Sequence, residues 1–305
     1  MNNSDGDILF VECFDYGVLM ACNWESVGSG SNWYVTPLSP EQEELYKDFD
    51  FLYRQLLLCS HYKPENIYYL SGHRWADADG DGDYFDIDNV HTKKNCKYAF
   101  KNWLKDNSDS NDLNLVYIIS HGIFFLGHSL IGVDSNRDGQ AFKGLEFYFD
   151  QNQKIKDNEV KNWLKNHKYG TNIGRLTFVL ETCYAGHFLD ALSTSDEKRI
   201  IVVTSTKDEP AELETGQDWA SFSSTFFKVL GNGSMNVAQA FDIADYHTEI
   251  ENFMSIYVLK DWGEPYPQDG RLDDNGDREG SSYFLYEEEP PEFGEDGYFA
   301  YRTGL

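Results

Sequence analysis

Two apolar runs end in the same abrupt way, and they constrain the fold more than any other feature. "LNLVYIIS" (Leu113–Ser120) is followed at once by His121 and Gly122, and "RLTFVLET" (Arg175–Thr182) by Cys183. Continuous runs rich in Val, Ile, Leu and aromatics read as strands buried on both faces, and such strands occur in parallel sheets covered by helices. Further runs of this kind are "DILFVECF", "VLMAC", "NIYYLS" and "RIIVVTST".

Helical patterns lie between them: "SPEQEELYKDFDFLYRQLLLCS", which opens on Ser39 as a cap with Pro40 in the first turn, then "NVHTKKNCKYAFKNWLKD", then "DNEVKNWLKNH". Strands alternating with helices imply right-handed crossovers and a mainly parallel sheet. Ligands then sit outside the carboxyl ends of the strands, where His121 and Cys183 both lie. After Thr204 the pattern changes to two helices broken at Gly231 and Gly233, and beyond about Lys260 to a Gly-, Asp- and Pro-rich stretch. That stretch ends in "YFLYEEEPPEFGEDGYFAYRTGL", which suggests one strand and then an acidic, aromatic tail, read first as a frayed terminus and second as a partner-binding or self-covering arm. The expected division is a domain over residues 1–260 and an extension over 261–305.

Composition limits the partners. The chain has 305 residues, 25 Lys+Arg against 52 Asp+Glu and a net charge of −27, which repels nucleic acid and anionic membranes. No apolar run approaches membrane-spanning length and no basic-then-apolar leader opens the sequence, so the expectation is a cytoplasmic protein. Its five cysteines have no paired CxxC spacing, which argues against a disulfide framework or structural zinc.

A nucleophilic cysteine needs a base to make its thiolate and donors to hold the oxyanion formed on attack. If the two strands are neighbours, His121 and Cys183 emerge side by side, and the small Ala185 and Gly186 allow a helix to start immediately afterwards. The other four cysteines lie in apolar or helical stretches and read as core.

"YIISHG" followed by "VLETCYAG" resembles the paired signature of the caspase-like cysteine peptidases, most nearly the legumain family, in which a strand ends in His-Gly and the next in Glu-Ala-Cys-x-Ser-Gly. "GSNWY", "ENIYYL" and "TGQDWASFSSTFF" are similar to further family segments, so that the likeness spans roughly residues 8 to 250. The resemblance implies a caspase-like three-layer α/β/α sandwich and a cysteine endopeptidase with Cys183 as nucleophile and His121 as general acid/base. It also implies an oxyanion hole from the backbone N–H groups of Gly122 and Cys183, with Asn32 a weak third catalytic residue. Glu181, Asp218 and Ser205 match pocket positions for the residue before the scissile bond. The family's balancing arginine is replaced by Pro37, so two carboxylates without a cation favour Arg or Lys over Asn.

Three other functions use the same residues: an Asn-specific peptidase, a transamidase or peptide ligase, and a catalytically silent calcium-binding interaction protein. "STSDEKRI" offers Lys198 and Arg199 for self-cleavage of a zymogen. No cofactor is required for the chemistry, but "DADGDGDYFDID" sets Asp77, Asp79, Asp81, Asp83 and Asp88 in the order of a calcium loop. A weaker copy offers Asp134, Asn136 and Asp138. The weakest, "RLDDNGDREG", has Arg278 where the turn glycine should stand. The remaining histidines lack zinc spacing, and His187, four residues after Cys183, reads as a helix-surface residue.

Overall fold

β-branched and aromatic runs form the strands of a seven-stranded sheet. In chain order these are β1 (Ile8–Cys13), β2 (Ile67–Ser71), β3 (Asn89–Val90), β4 (Leu113–Ser120), then, after a second small sheet, β8 (Arg175–Glu181), β9 (Arg199–Val203) and β10 (Arg271–Asp273). The computed structural model describes residues 8–13, 66–71, 77, 81–82, 85–110, 112–120, 122–133, 154–165, 167, 174–194, 199–204, 221–230, 235–258, 269–282 and 290–303, with backbone alone for 8–13, 71, 221 and 249–258. The expected strand "VLMAC", the helix opening at Ser39 and the strand "YFLYEEE" lie outside these residues.

The strand order is β10-β9-β8-β4-β1-β2-β3, parallel throughout except for β10, which runs antiparallel to β9. The mixed α/β class and the mainly parallel sheet expected from the alternation of elements are therefore present. The small sheet joins β5 (Gly122–Phe125), β6 (His128–Gly132) and β7 (Lys154–Lys156), all antiparallel, in sequence order.

Helices cover both faces of the large sheet. The first, α1, runs through Lys93–Tyr98, a wider π-turn at Ala99–Trp103, and Leu104–Asn107. It starts later than the sequence pattern, because Asn89 and Val90 pair with β2 and Thr92 takes the cap, accepting from the Asn95 amide at 3.2 Å. Helix α2 spans Asp157–Leu164 and α3 His187–Leu192, and then come α4 (Ser221–Leu230) and α5 (Val237–Val258), the two helices expected around Gly231 and Gly233.

Alternate residues of β4 and β8 feed two cores. Val116, Ile118, Phe178 and Leu180 meet Phe100, Leu164 and Phe188 of α1, α2 and α3. Tyr117, Ile119 and Val179 meet Phe222, Phe226 and Phe241 of α4 and α5. The C-terminal stretch belongs to the second core, which corrects the expectation of a frayed terminus. Leu272 and Ala300 are fully buried, and the Thr303 carbonyl accepts from the Val237 amide at 2.8 Å, capping α5. Asp274 holds this segment by accepting the amides of Gly297, Phe299 and Ala300. Among the described residues no helix is long and apolar enough to cross a membrane.

Candidate active site

The site grows from the register of β4 on β8. Leu113 pairs with Arg175 and Ile119 with Glu181, a constant interval of 62 residues, and the same interval separates His121 from Cys183 in the sequence. His121 itself lies outside the described residues, while Ser120 and Gly122 on either side of it are described.

Gly122, the first residue of β5, lies hard against the backbone that follows β8. A Cβ at Gly122 would overlap the Thr182 hydroxyl and the Cys183 carbonyl oxygen, so this close approach requires glycine. Cys183 is half-buried and forms no disulfide. The chain then turns sharply. Tyr184 takes a left-handed backbone conformation (φ 58°), Ala185 and Gly186 are buried, and α3 begins at His187 as the small residues suggested.

The small sheet ties these pieces together. The Ser120 hydroxyl, at the end of β4, donates to the Gly132 carbonyl of β6 at 3.3 Å, and Gly122 pairs with Ile131 of the same strand. The Ser129 hydroxyl of β6 donates to the Tyr184 carbonyl at 2.5 Å. Asp157, buried at the start of α2, accepts the Ser129 amide at 3.2 Å and the Asn158 amide at 2.5 Å, and its Oδ1 lies 2.8 Å from His128 Nδ1. His187 does not stand free on a helix surface: its ring stacks on Phe124 of β5, with centroids 4.1 Å apart and planes 6° from parallel.

Glu181 points into the core beneath α4. It is 2% exposed and its Oε2 accepts from the hydroxyls of Tyr117, at 3.2 Å, and Ser223. Its Oε1 is buried with no hydrogen-bond partner among the described residues. Burial pushes this carboxyl up to about 7, against the hydrogen bonds from Ser223 and Tyr117 that favour its charge. Asn32, Ser205 and Asp218 lie outside the described residues.

The acidic loops come out differently from their sequence order. Asp79, Asp83, Asp134, Asn136 and Asp138 lie outside the described residues. Asp81 is exposed, and Asp88 bonds β2, its Oδ2 accepting from the Tyr69 amide at 2.8 Å. Among the described residues, the carboxylates that converge are Asp273, Asp277 and Asp296, with oxygens within 4.8 Å of one another. Arg278 adopts the left-handed conformation (φ 73°) that a glycine would take there, so the loop with the poorest sequence match still forms the turn. Burial, then the charges of Asp273 and Asp277, push the Asp296 carboxyl up to about 7.

Arg199 departs from the self-cleavage expectation. It is buried as the first residue of β9 and donates to the Leu192 carbonyl at 2.7 Å, so its peptide is part of the sheet. Lys198 lies outside the described residues.

Sequence reasoning missed Ser129, His128 and Asp157. They come from an antiparallel hairpin and a helix start that carry no reactive motif, and only the fold brings them to Tyr184. Compared with protein-family models and with curated proteins, the chain matches none.

Proposed function

We propose that this protein is a cysteine endopeptidase of the caspase-like kind, cleaving after Arg or Lys. The observation that carries the reading is the approach of Gly122 to Cys183 where β4 and β8 end in register. In this reading the two neighbouring parallel strands, followed in the sequence by His121 and by Cys183, bring a base and a nucleophile to one sheet end.

In this mechanism His121 takes the Cys183 proton, and the thiolate attacks the scissile carbonyl carbon. The negative charge moves to the carbonyl oxygen, for which the N–H groups of Gly122 and Cys183 are the donors. His121, now protonated, gives its proton to the leaving amine, and the C–N bond breaks to leave a thioester on Cys183. A water, deprotonated by His121, attacks the thioester, releases the acid and restores the thiol. The half-buried position of Cys183 suits a nucleophile that must meet a substrate, whereas Cys96 is fully buried.

The basic preference rests on Glu181, two residues before the nucleophile. By the resemblance this acid, with Asp218, lines the pocket; here it is buried beneath α4, where Oε1, with no hydrogen-bond partner among the described residues, is the acceptor that a guanidinium reaching that depth would complete.

The test is intact-mass spectrometry after brief exposure to an arginyl acyloxymethyl ketone, on the wild type, Cys183→Ala and His121→Ala, with hydrolysis of fluorogenic peptides alongside. One adduct, absent in Cys183→Ala and slowed in His121→Ala, is expected. A wild type inert to arginyl, asparaginyl and aspartyl probes while folded would sink the peptidase reading. Peptides with Asn or Asp cleaved faster than Arg would remove the basic preference alone.

A further inference from the structure

A nucleophile on a tight turn is useful only if the turn is held, and this turn is left-handed at a residue that is not glycine. Tyr184 is one of three non-glycine residues with positive φ among those described. That conformation costs about 1–2 kcal/mol for an L-residue and persists where the surroundings over-determine it. Among the described residues the shortest hydrogen bond to Tyr184 comes from β6. The Tyr184 carbonyl accepts the Ser129 hydroxyl at 2.5 Å, and among the described residues the one other donor to it, the His187 amide, is distant at 3.5 Å.

Ser129 is itself fixed. It is 1% exposed, and its amide donates to Asp157, a carboxylate that also binds the His128 ring and the Asn158 amide. The same strand, β6, receives the Ser120 hydroxyl at Gly132 and pairs Ile131 with Gly122, on either side of His121 in the sequence. One strand therefore holds the Ser120 side chain before His121, the Gly122 backbone after it, and the carbonyl of the residue after Cys183.

We propose that Ser129, anchored by Asp157, is a positioning residue for Cys183: its hydroxyl locks the left-handed Tyr184 peptide and so fixes the direction of the thiol toward the base. This inference rests on the peptidase reading above. Its physical content is geometric. Small displacements of reacting groups cost about 100-fold in rate, while loss of a buried hydroxyl bond is also a stability effect that every such serine shows. The two must be separated by rate per folded molecule.

The experiment measures the rate of Cys183 carbamidomethylation by iodoacetamide, resolved by peptide mapping, and kcat and KM for an arginyl fluorogenic peptide. Variants are Ser129→Ala, Ser129→Thr and Asp157→Asn, all assayed well below their melting temperatures. Positioning predicts kcat and the alkylation rate about 10- to 100-fold lower in Ser129→Ala with KM within about twofold. It predicts a smaller loss of the same kind in Asp157→Asn and recovery of rate in Ser129→Thr, which keeps the hydroxyl. If Ser129→Ala fails to fold, Asp157→Asn and Ser129→Thr carry the comparison. A reactive wild type with both rates unchanged in folded Ser129→Ala or Asp157→Asn overturns the positioning role and leaves the peptidase reading standing. A wild type whose Cys183 reacts no faster than a free thiol and cleaves no peptide overturns both.

Discussion

Replacing Glu181 by glutamine removes a buried titration and should change how stability depends on pH. In the folded protein the carboxyl is pushed from 4.5 up to about 7 by burial. The folded state thus holds its proton where the unfolded chain has lost it. For such a group, stability is greatest at low pH and declines as pH rises from the unfolded value through about 7. With one pKa step worth about 1.4 kcal/mol, the wild type should lose about 2 kcal/mol relative to Glu181→Gln between about pH 5.5 and pH 8. In a chain of this size, at about 2.1 cal/mol/K of unfolding entropy per residue, that corresponds to roughly 3 °C in Tm. The amide keeps an acceptor for Tyr117 or Ser223 and nearly the same volume, so packing changes largely cancel from the pH difference. Urea melts of both proteins at several pH values give the quantity directly. A stability difference that stays constant across this range would refute the buried, proton-holding state of Glu181. The same substitution should raise KM for arginyl peptides far more than for neutral ones if Oε1 is the pocket floor.

Gly122→Ala sets a methyl against Thr182 Oγ1 and the Cys183 carbonyl oxygen; the overpacking should cost about 1–3 kcal/mol and peptide hydrolysis should vanish, checked by melting and by fluorogenic assay. In Asp296→Asn, removal of a carboxyl held near 7 by burial and by Asp273 and Asp277 should raise Tm relative to the wild type increasingly as pH rises from about 5.5 to 8, because the wild type must ionise there and the variant need not. Calcium at about 1 mM should raise Tm if the loop from Asp77 to Asp88 gathers the ion, and Asp81→Asn should abolish the rise; an unchanged wild-type Tm ends that expectation.

The central strands β4, β8 and β9 of the large sheet were readable because they are covered on both sides. "LNLVYIIS" and "RLTFVLE" need apolar residues at nearly every position, and that produces runs which turns and surfaces do not imitate. The small sheet left almost no trace. "GIFF" and "HSLIG" are joined by Leu126 and Gly127, whose φ values of 52° and 80° make a two-residue hairpin turn without the Asn-Gly pair that usually announces one. Its third strand, "KIK", looks like solvent-exposed chain, yet Lys154 is 1% exposed. β10 was hidden for a different reason: three residues inside an Asp- and Gly-rich stretch carry no period, and their place is set by pairing with β9.

This division follows the candidate site as well. The candidates His121 and Cys183 stand out in the sequence because reactive residue types directly after two buried runs are conspicuous, and the register of β4 on β8 sets the ends of those two strands side by side. Direction was not legible. Sequence order placed Glu181 beside the nucleophile as a pocket residue, but could not say that its carboxyl enters the core beneath α4 and meets Tyr117 and Ser223. Nor could it reveal that Ser129, 55 residues from Tyr184, closes the turn after the thiol. The proposed nucleophile and base are carried by local pattern, whereas the serine proposed to aim the thiol depends on where a second sheet lands. An error in sequence reading is therefore expected first in the small sheet, and a substitution there should disturb rate before it disturbs the fold of the large one.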